Sequence, residues 1–273
     1  MQRDICFDGQ KVAVHYQEPE ITEVLEFLFG DLDSPELVKT ETEFSIEKID
    51  NDWVLNRDEQ LLFKGPDVNG LANIVMGEVL FHLIKSNANG MAIHAGLVSN
   101  HEGSILMPAE SGSGKSSLTT WLMVNGFHYH TDELVIIDPD NRSLQAFTRP
   151  LNIKNRGVDA INSIFQLEPH ESAIRASKMV TMIPHRLIQP EYKKDIPAFS
   201  KIIFPKYIAD SESQITRLSG AEAGLELMRS NVIARNLPKH GFNQVIQLVR
   251  DVPAYRLHYQ SFQDLPALLE IDV

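Results

Sequence analysis

One short stretch near the middle of this 273-residue chain limits what it can fold into more than any other. Ser104-Ile105-Leu106-Met107 has the apolar run of a buried strand, and Pro108-Ala109-Glu110-Ser111-Gly112-Ser113-Gly114-Lys115-Ser116-Ser117 follows it directly. Leu118, Trp121, Leu122 and Val124 then recur at helical spacing until Asn125-Gly126 closes the segment. Strand, glycine turn, Lys-Ser and helix in that order make a phosphate-binding loop. Consecutive backbone N–H groups in such a turn form an anion nest, and the helix N-terminus adds partial positive charge. Lys115 supplies a mobile cation for the β- and γ-phosphates, and Ser116 a hydroxyl for Mg²⁺. Gly112 and Gly114 let the backbone turn sharply and approach phosphate. The strict pattern has glycine where this chain has Ala109, which is tolerated there if the residue keeps a negative φ.

The flanking sequence predicts an α/β fold. Lys11–Tyr16, Glu43–Ile49 and Asp52–Leu55 read as strands, with a helix over residues 20–29 that stops at Gly30. A second, longer helix is expected over residues 71–86. Residues 1–90 form a β-rich module ending in that helix, and no chemistry is evident in it. Residues 91–273 carry the loop, with strands at Ala92–Val98 and Leu134–Ile137 and a turn at Pro139-Asp140-Asn141. Helices are expected from Leu218 through Met228, from Gly241 to Arg250 and from Gln263 to Glu270, with a strand at Val252–Leu257. Apolar stripes in these C-terminal elements read as core.

Composition narrows the function classes. Lys plus Arg number 25 against 37 Asp plus Glu, a formal charge of −12. That field disfavours nucleic acid and anionic membrane as partners. Cys6 stands alone, which excludes an internal disulfide and a Cys-based zinc site. No secretory signal is visible, and the most apolar stretch, residues 72–84, is short and carries Glu78 and His82. The expected setting is cytoplasmic.

Three segments in fixed register narrow the reading further. Ile93-His94-Ala95-Gly96-Leu97-Val98, the loop itself and Thr131-Asp132-Glu133 resemble the catalytic domain of HPr kinase/phosphorylase. The layout is closer still to the bacterial HPr kinase-related kinases, through Thr131-Asp132-Glu133-Leu134, Arg149-Pro150-Leu151-Asn152-Ile153-Lys154-Asn155 and Ile203-Phe204-Pro205-Lys206-Tyr207. Ala109 replaces the loop's first glycine, and Glu133 replaces the second aspartate of HPr kinase; neither change removes a charge the chemistry needs. The chain lacks the HPr kinase's N-terminal domain and Arg-rich signature, so HPr itself is not the expected acceptor.

The resemblance implies a P-loop kinase core of the HPr kinase (PEP carboxykinase-like) type with a β-rich N-terminal part. It implies transfer of the γ-phosphoryl group of ATP, with Mg²⁺, to a hydroxyl: a serine of a peptide or protein, or a small alcohol. Residues 109–117, that is Ala109, Glu110, Ser111, Gly112, Ser113, Gly114, Lys115, Ser116 and Ser117, would hold the nucleotide. Asp132 would be the general base, with Ser116 and Glu133 on the metal. His94 would hydrogen-bond the base or the transferred group, and Lys154 or Arg149 would neutralise its charge. Lys178 and Arg186 lie in a loop-like stretch, Ser177 to Pro190, placed to cover the site or receive substrate. The family assembles through its catalytic domain, so a homo-oligomer is among the partners it allows. Two other classes stay open: a non-catalytic nucleotide-sensing or peptide-binding module, and a simple nucleotide hydrolase.

Overall fold

The computed structural model describes residues 1–32, 39–87, 90–138 and 140–270, so Pro139 of the expected turn lies outside the described residues. The chain is α/β with mixed sheets and divides into two compact units. The first comprises Met1–Asn87, Thr148–Asn155 and Glu171–Pro184; the second comprises Ala88–Phe147, Arg156–His170 and His185–Val273.

The first unit holds a five-stranded sheet in sequence order: Gln2–Phe7, Gln10–Tyr16, Thr40–Ile49, Asp52–Arg57 and Gln60–Gly65. Only the Gln10–Tyr16 and Thr40–Ile49 pair is parallel, because helix Pro19–Phe29 carries the chain between them. Ile21, Val24, Leu25, Leu28 and Phe29 recur at the three- and four-residue spacing of one helix face, and all are buried. Helix Val68–Ile84 is capped by Asp67, whose carboxylate accepts from Asn69 N at 3.0 Å. The sequence reads this part as β-rich without singling out the strands 2–7 and 60–65. Gln60–Gly65 is an edge strand whose Leu61 stays 55% exposed, so the apolar alternation that betrays a half-buried strand is missing.

A small sheet in the same unit corrects the reading of residues 177–190 as a loop. Val180–Ile183 is a strand paired antiparallel to both Leu151–Lys154 and Arg175–Ala176, and His185–Ile188 in the second unit is a short helix. Four residues are too few for periodicity to show, and the pairing partner comes from a distant segment.

The second unit is built on an eight-stranded sheet. Gly103–Pro108, Phe199–Tyr207 and Ala254–Tyr259 are adjacent and parallel. Met91–Asn100 runs antiparallel beside the first of them, and Gln214–Arg217 beside the last. Side chains alternate between two cores, as strand geometry requires. Ile105, Met107 and Ile203 pack with Leu118, Trp121 and Leu122 of helix Lys115–Val124. Leu106, Ile202 and Phe204 face the other way, onto Ala223 and Leu227 of helix Gly220–Ser230 and Val245 and Leu248 of helix Phe242–Asp251. A sheet covered on both faces leaves the carboxyl ends of its parallel strands as the open edge where loops can carry chemistry. Among the described residues, no helix is long and apolar enough to cross a membrane.

Candidate functional site

The phosphate-loop segment joins strand Gly103–Pro108 to helix Lys115–Val124. Gly112 and Gly114 take φ of +92° and +90°, where a side chain would be strained. Ala109 does not adopt a positive φ, so alanine there carries no such penalty. Space is equally restrictive. A Cβ on Gly114 would overlap the Tyr259 hydroxyl and lie 3.0 Å from Tyr207 Cβ, and one on Gly112 would lie 2.7 Å from Arg156 Nη2.

The carboxyl ends of the two neighbouring parallel strands grip the loop. Tyr207 N donates to Ser113 O at 2.7 Å, and Tyr259 Oη donates to Gly114 O at 2.9 Å. Every described peptide is trans, so the N–H of each peptide unit points opposite to its carbonyl. Tying back the Ser113 and Gly114 carbonyls therefore turns the Gly114 and Lys115 N–H groups away from those two tyrosines. The first turn of the helix, from Lys115 through Ser117, has no intrahelical carbonyl to accept its amides. The Ser113 hydroxyl is buried with no hydrogen-bond partner among the described residues. Burial pushes the Tyr259 phenol well above its ordinary range, with the Tyr207 hydroxyl adding to the shift.

Lys115 is buried, and its ammonium donates to the backbone oxygen of Asp132. The next side chain, Ser116, donates to Asp132 Oδ2 at 2.9 Å, and Tyr129 Oη reaches Oδ1 at 3.5 Å. Asp132 has no exposed surface. A break in strand pairing puts it there. Met91–Asn100 pairs with His128–Thr131 through Leu97, Val98 and Ser99, and with Leu134–Ile137 through residues 91–94. Asp132 and Glu133 fall in a bend between those two strands. Thr131 Oγ1 donates to Phe147 O at 2.6 Å and accepts from Glu133 N at 3.0 Å, and Ala95 N donates to Glu133 O at 3.2 Å. The bend frees the two acidic residues from strand alternation, which would have sent them to opposite faces.

His94 lies on the same strand as Gly96 and Val98, two and four residues on. Ile93, Ala95 and Leu97 belong to the core under helices 220–230 and 242–251, so His94 and Gly96 face helix Lys115–Val124. A Cβ on Gly96 would sit 2.7 Å from Thr119 Oγ1 and 3.5 Å from Lys115 Cγ. The His94 carbonyl accepts from Ala109 N at 3.4 Å, tying this strand to the start of the loop. Glu110 and Ser111 are exposed at its tip, and Ser117 is half-buried.

The structure thus brings the loop, Asp132, Glu133 and His94 to one edge of the second unit. Arg149 and Lys154 belong to the first, Arg149 buried and Lys154 exposed at the end of its strand. Lys178 is also in the first unit, whereas Arg186 stacks its guanidinium over Tyr192 in the second. Sequence reasoning missed Arg156, whose guanidinium lies against Gly112. It stands two residues beyond Lys154, and one-dimensional spacing gives no ground for choosing between the two. Nearby, His130 is 1% exposed, with Nε2 bonded to Ser99 Oγ at 2.8 Å and no partner at Nδ1 among the described residues. Burial, and secondarily His128, pushes its pKa down to about 4. No cluster of three or more His, Cys, Asp or Glu among the described residues is arranged to hold a metal ion.

Comparison with known proteins adds little. No protein-family model matches the chain, and no curated protein does. Among solved structures the chain is similar to the Hpr(Ser) kinase/phosphatase from Coxiella burnetii, over 66% of this chain and 91% of that one. The identity is 12% and the TM-score 0.29, a likeness too low to bear on activity.

Proposed function

We propose that this chain is an ATP-dependent kinase that moves the γ-phosphoryl group to a hydroxyl, on a serine of a peptide or protein or on a small alcohol. The observation that carries the reading is the convergence of Lys115 and Ser116, the two chemical residues of the loop, on one buried aspartate. The loop fits a polyphosphate. Its backbone is bare where Gly112 and Gly114 admit no Cβ, two of its carbonyls are tied back, and a buried serine hydroxyl has no partner among the described residues.

The loop amides and the helix N-terminus hold negative charge, and Lys115 adds a full cation within reach of the same charge. A divalent ion would rest on the Ser116 hydroxyl and the Glu133 carboxylate, hard oxygen donors of the type Mg²⁺ takes. When bound, MgATP supplies the phosphoryl group, its terminal P–O bond breaking as the acceptor oxygen takes the phosphorus and ADP leaves. Asp132 takes the acceptor's proton, orienting that oxygen as it does so. His94, on the face that carries the loop helix, hydrogen-bonds the base.

Full burial of Asp132 also favours a second reading, a nucleotide-binding module without turnover. A carboxylate already engaged by Ser116 and Tyr129 is well suited to hold a loop in place and less open to an incoming hydroxyl.

The deciding experiment compares thermal unfolding with and without MgATP for the wild type and Lys115→Met, a variant that keeps most of the buried volume. A ligand at 100 times its Kd adds about 2.7 kcal/mol and should raise the midpoint by about 5 °C or more. A wild-type shift that Lys115→Met lacks supports the loop as the nucleotide site. Phosphoryl transfer to added hydroxyl compounds, lost in Asp132→Asn, then selects the kinase over the module. No shift at millimolar MgATP would remove both readings.

A further inference from the structure

Among the described residues no hydrogen bond or ion pair engages the Arg156 guanidinium. An exposed, unpaired arginine is ordinary; its position is not. Its Nη2 lies 2.7 Å from where a Cβ on Gly112 would stand. Standard backbone dimensions then put that nitrogen within about 5 Å of the Gly112 amide nitrogen.

The placement has a structural cause. Arg156 sits one residue before Gly157, the N-cap of helix Val158–Asn162. That helix buries Ile161 completely, and Ile164 beyond it packs on the core that holds helix Lys115–Val124. The chain segment bearing Arg156 is therefore anchored to the same layer as the phosphate loop. A cation on an anchored segment beside a left-handed glycine in an anion nest suits an oxyanion, and the planar fork of arginine suits phosphate oxygens.

We infer that Arg156 is a phosphate-contacting residue of this loop, gripping the same polyphosphate chain that the Gly114 and Lys115 amides hold. The assignment rests on the loop's binding phosphate and does not require phosphoryl transfer. Without ligand the guanidinium stands open beside Gly112, and a bound polyphosphate supplies its counter-charge.

The test uses the full chain as wild type, Arg156→Ala and Arg156→Lys, titrated separately with MgATP and with magnesium tripolyphosphate, with thermal unfolding of each ligand-free protein as the control. Arg156→Ala should bind both probes about tenfold to a hundredfold more weakly, since it loses charge-assisted hydrogen bonds. Its ligand-free midpoint should stay at the wild-type value, because an exposed, unpaired side chain holds nothing together. Arg156→Lys should recover part of the loss by keeping the charge without the fork. Wild-type binding that Arg156→Ala leaves within twofold overturns the assignment and spares the kinase reading. Binding of both probes without phosphoryl transfer sinks the kinase reading and spares Arg156. Tripolyphosphate binding without ATP binding keeps Arg156 but reassigns the site to inorganic polyphosphate, and no binding of either probe overturns both.

Discussion

Ser116 Oγ donates to Asp132 Oδ2 at 2.9 Å while the preceding residue, Lys115, donates to the backbone oxygen of the same aspartate. Two successive helix residues thus clamp one acidic residue through its side chain and its main chain. Asp132 has no exposed surface, so losing a donor leaves a buried acceptor short. Ser116→Ala is expected to lower the unfolding free energy by about 1–3 kcal/mol, the cost of a buried acceptor left short. The effects of Ser116→Ala and Asp132→Ala should fall short of additivity by about 0.5 kcal/mol or more in denaturant titration, since both remove one contact. Strict additivity would show that the bond contributes nothing.

Gly114 and Tyr259 make a second coupled pair. Tyr259→Phe removes the hydroxyl that donates to Gly114 O, at an expected cost of about 1 kcal/mol. Gly114→Ala forces a Cβ onto that hydroxyl at φ +90° and should cost more, about 2–4 kcal/mol. In the Tyr259→Phe background the overlap with the hydroxyl disappears, while the 3.0 Å approach to Tyr207 Cβ and the backbone share remain. Gly114→Ala should therefore be milder there; equal costs in both backgrounds would show that the hydroxyl overlap contributes nothing.

His130 makes stability depend on pH. Its folded pKa, about 4, lies below the ordinary histidine value of 6.5, so the fold holds it neutral while the unfolded chain takes up a proton first. Stability from this group is fully present above pH 6.5, declines as pH falls through 6.5 toward 4, and is fully lost below 4. The span corresponds to about 3 kcal/mol. Burial lowers His82, His128 and His258 as well, so the wild type carries several such contributions. His130→Gln should flatten the dependence of the urea midpoint between pH 7 and pH 4.5. An unchanged slope would mean that His130 already titrates as it does in the unfolded chain.

Gly96 sets how closely the loop helix approaches the sheet. Gly96→Ala places a methyl 2.7 Å from Thr119 Oγ1 and 3.5 Å from Lys115 Cγ. The expected cost is about 1–3 kcal/mol, with weakened nucleotide binding because the helix that carries Lys115 must shift. Wild-type stability together with wild-type MgATP affinity would show that the helix accommodates the methyl group freely.

Much of the second unit was legible because its signals are local. The apolar run 104–107, the glycine turn and the helical spacing after Lys115 lie within a single segment, and the structure places strand, loop and helix there. The first unit was less legible at its edges. Gln60–Gly65 is exposed on one side of a sheet and carries no clear alternation, and Val180–Ile183 exists as a strand only because Leu151–Lys154 pairs with it. The bend at Asp132-Glu133 was readable as an acidic pair but not as a break in pairing, because the break follows from a strand, Met91–Asn100, whose partner changes along its length.

The sequence by itself determined the order strand, glycine loop, lysine, serine and helix, since an anion nest is made by consecutive peptide groups and needs no distant partner. Tertiary structure alone decided what surrounds that nest. Tyr259 reaches Gly114 across 145 positions of chain, and Arg156 reaches Gly112 through a helix that buries Ile161. Such contacts depend on which strands lie side by side and which short helix packs on which layer. Those choices minimise the free energy of the whole core, and no local pattern records them.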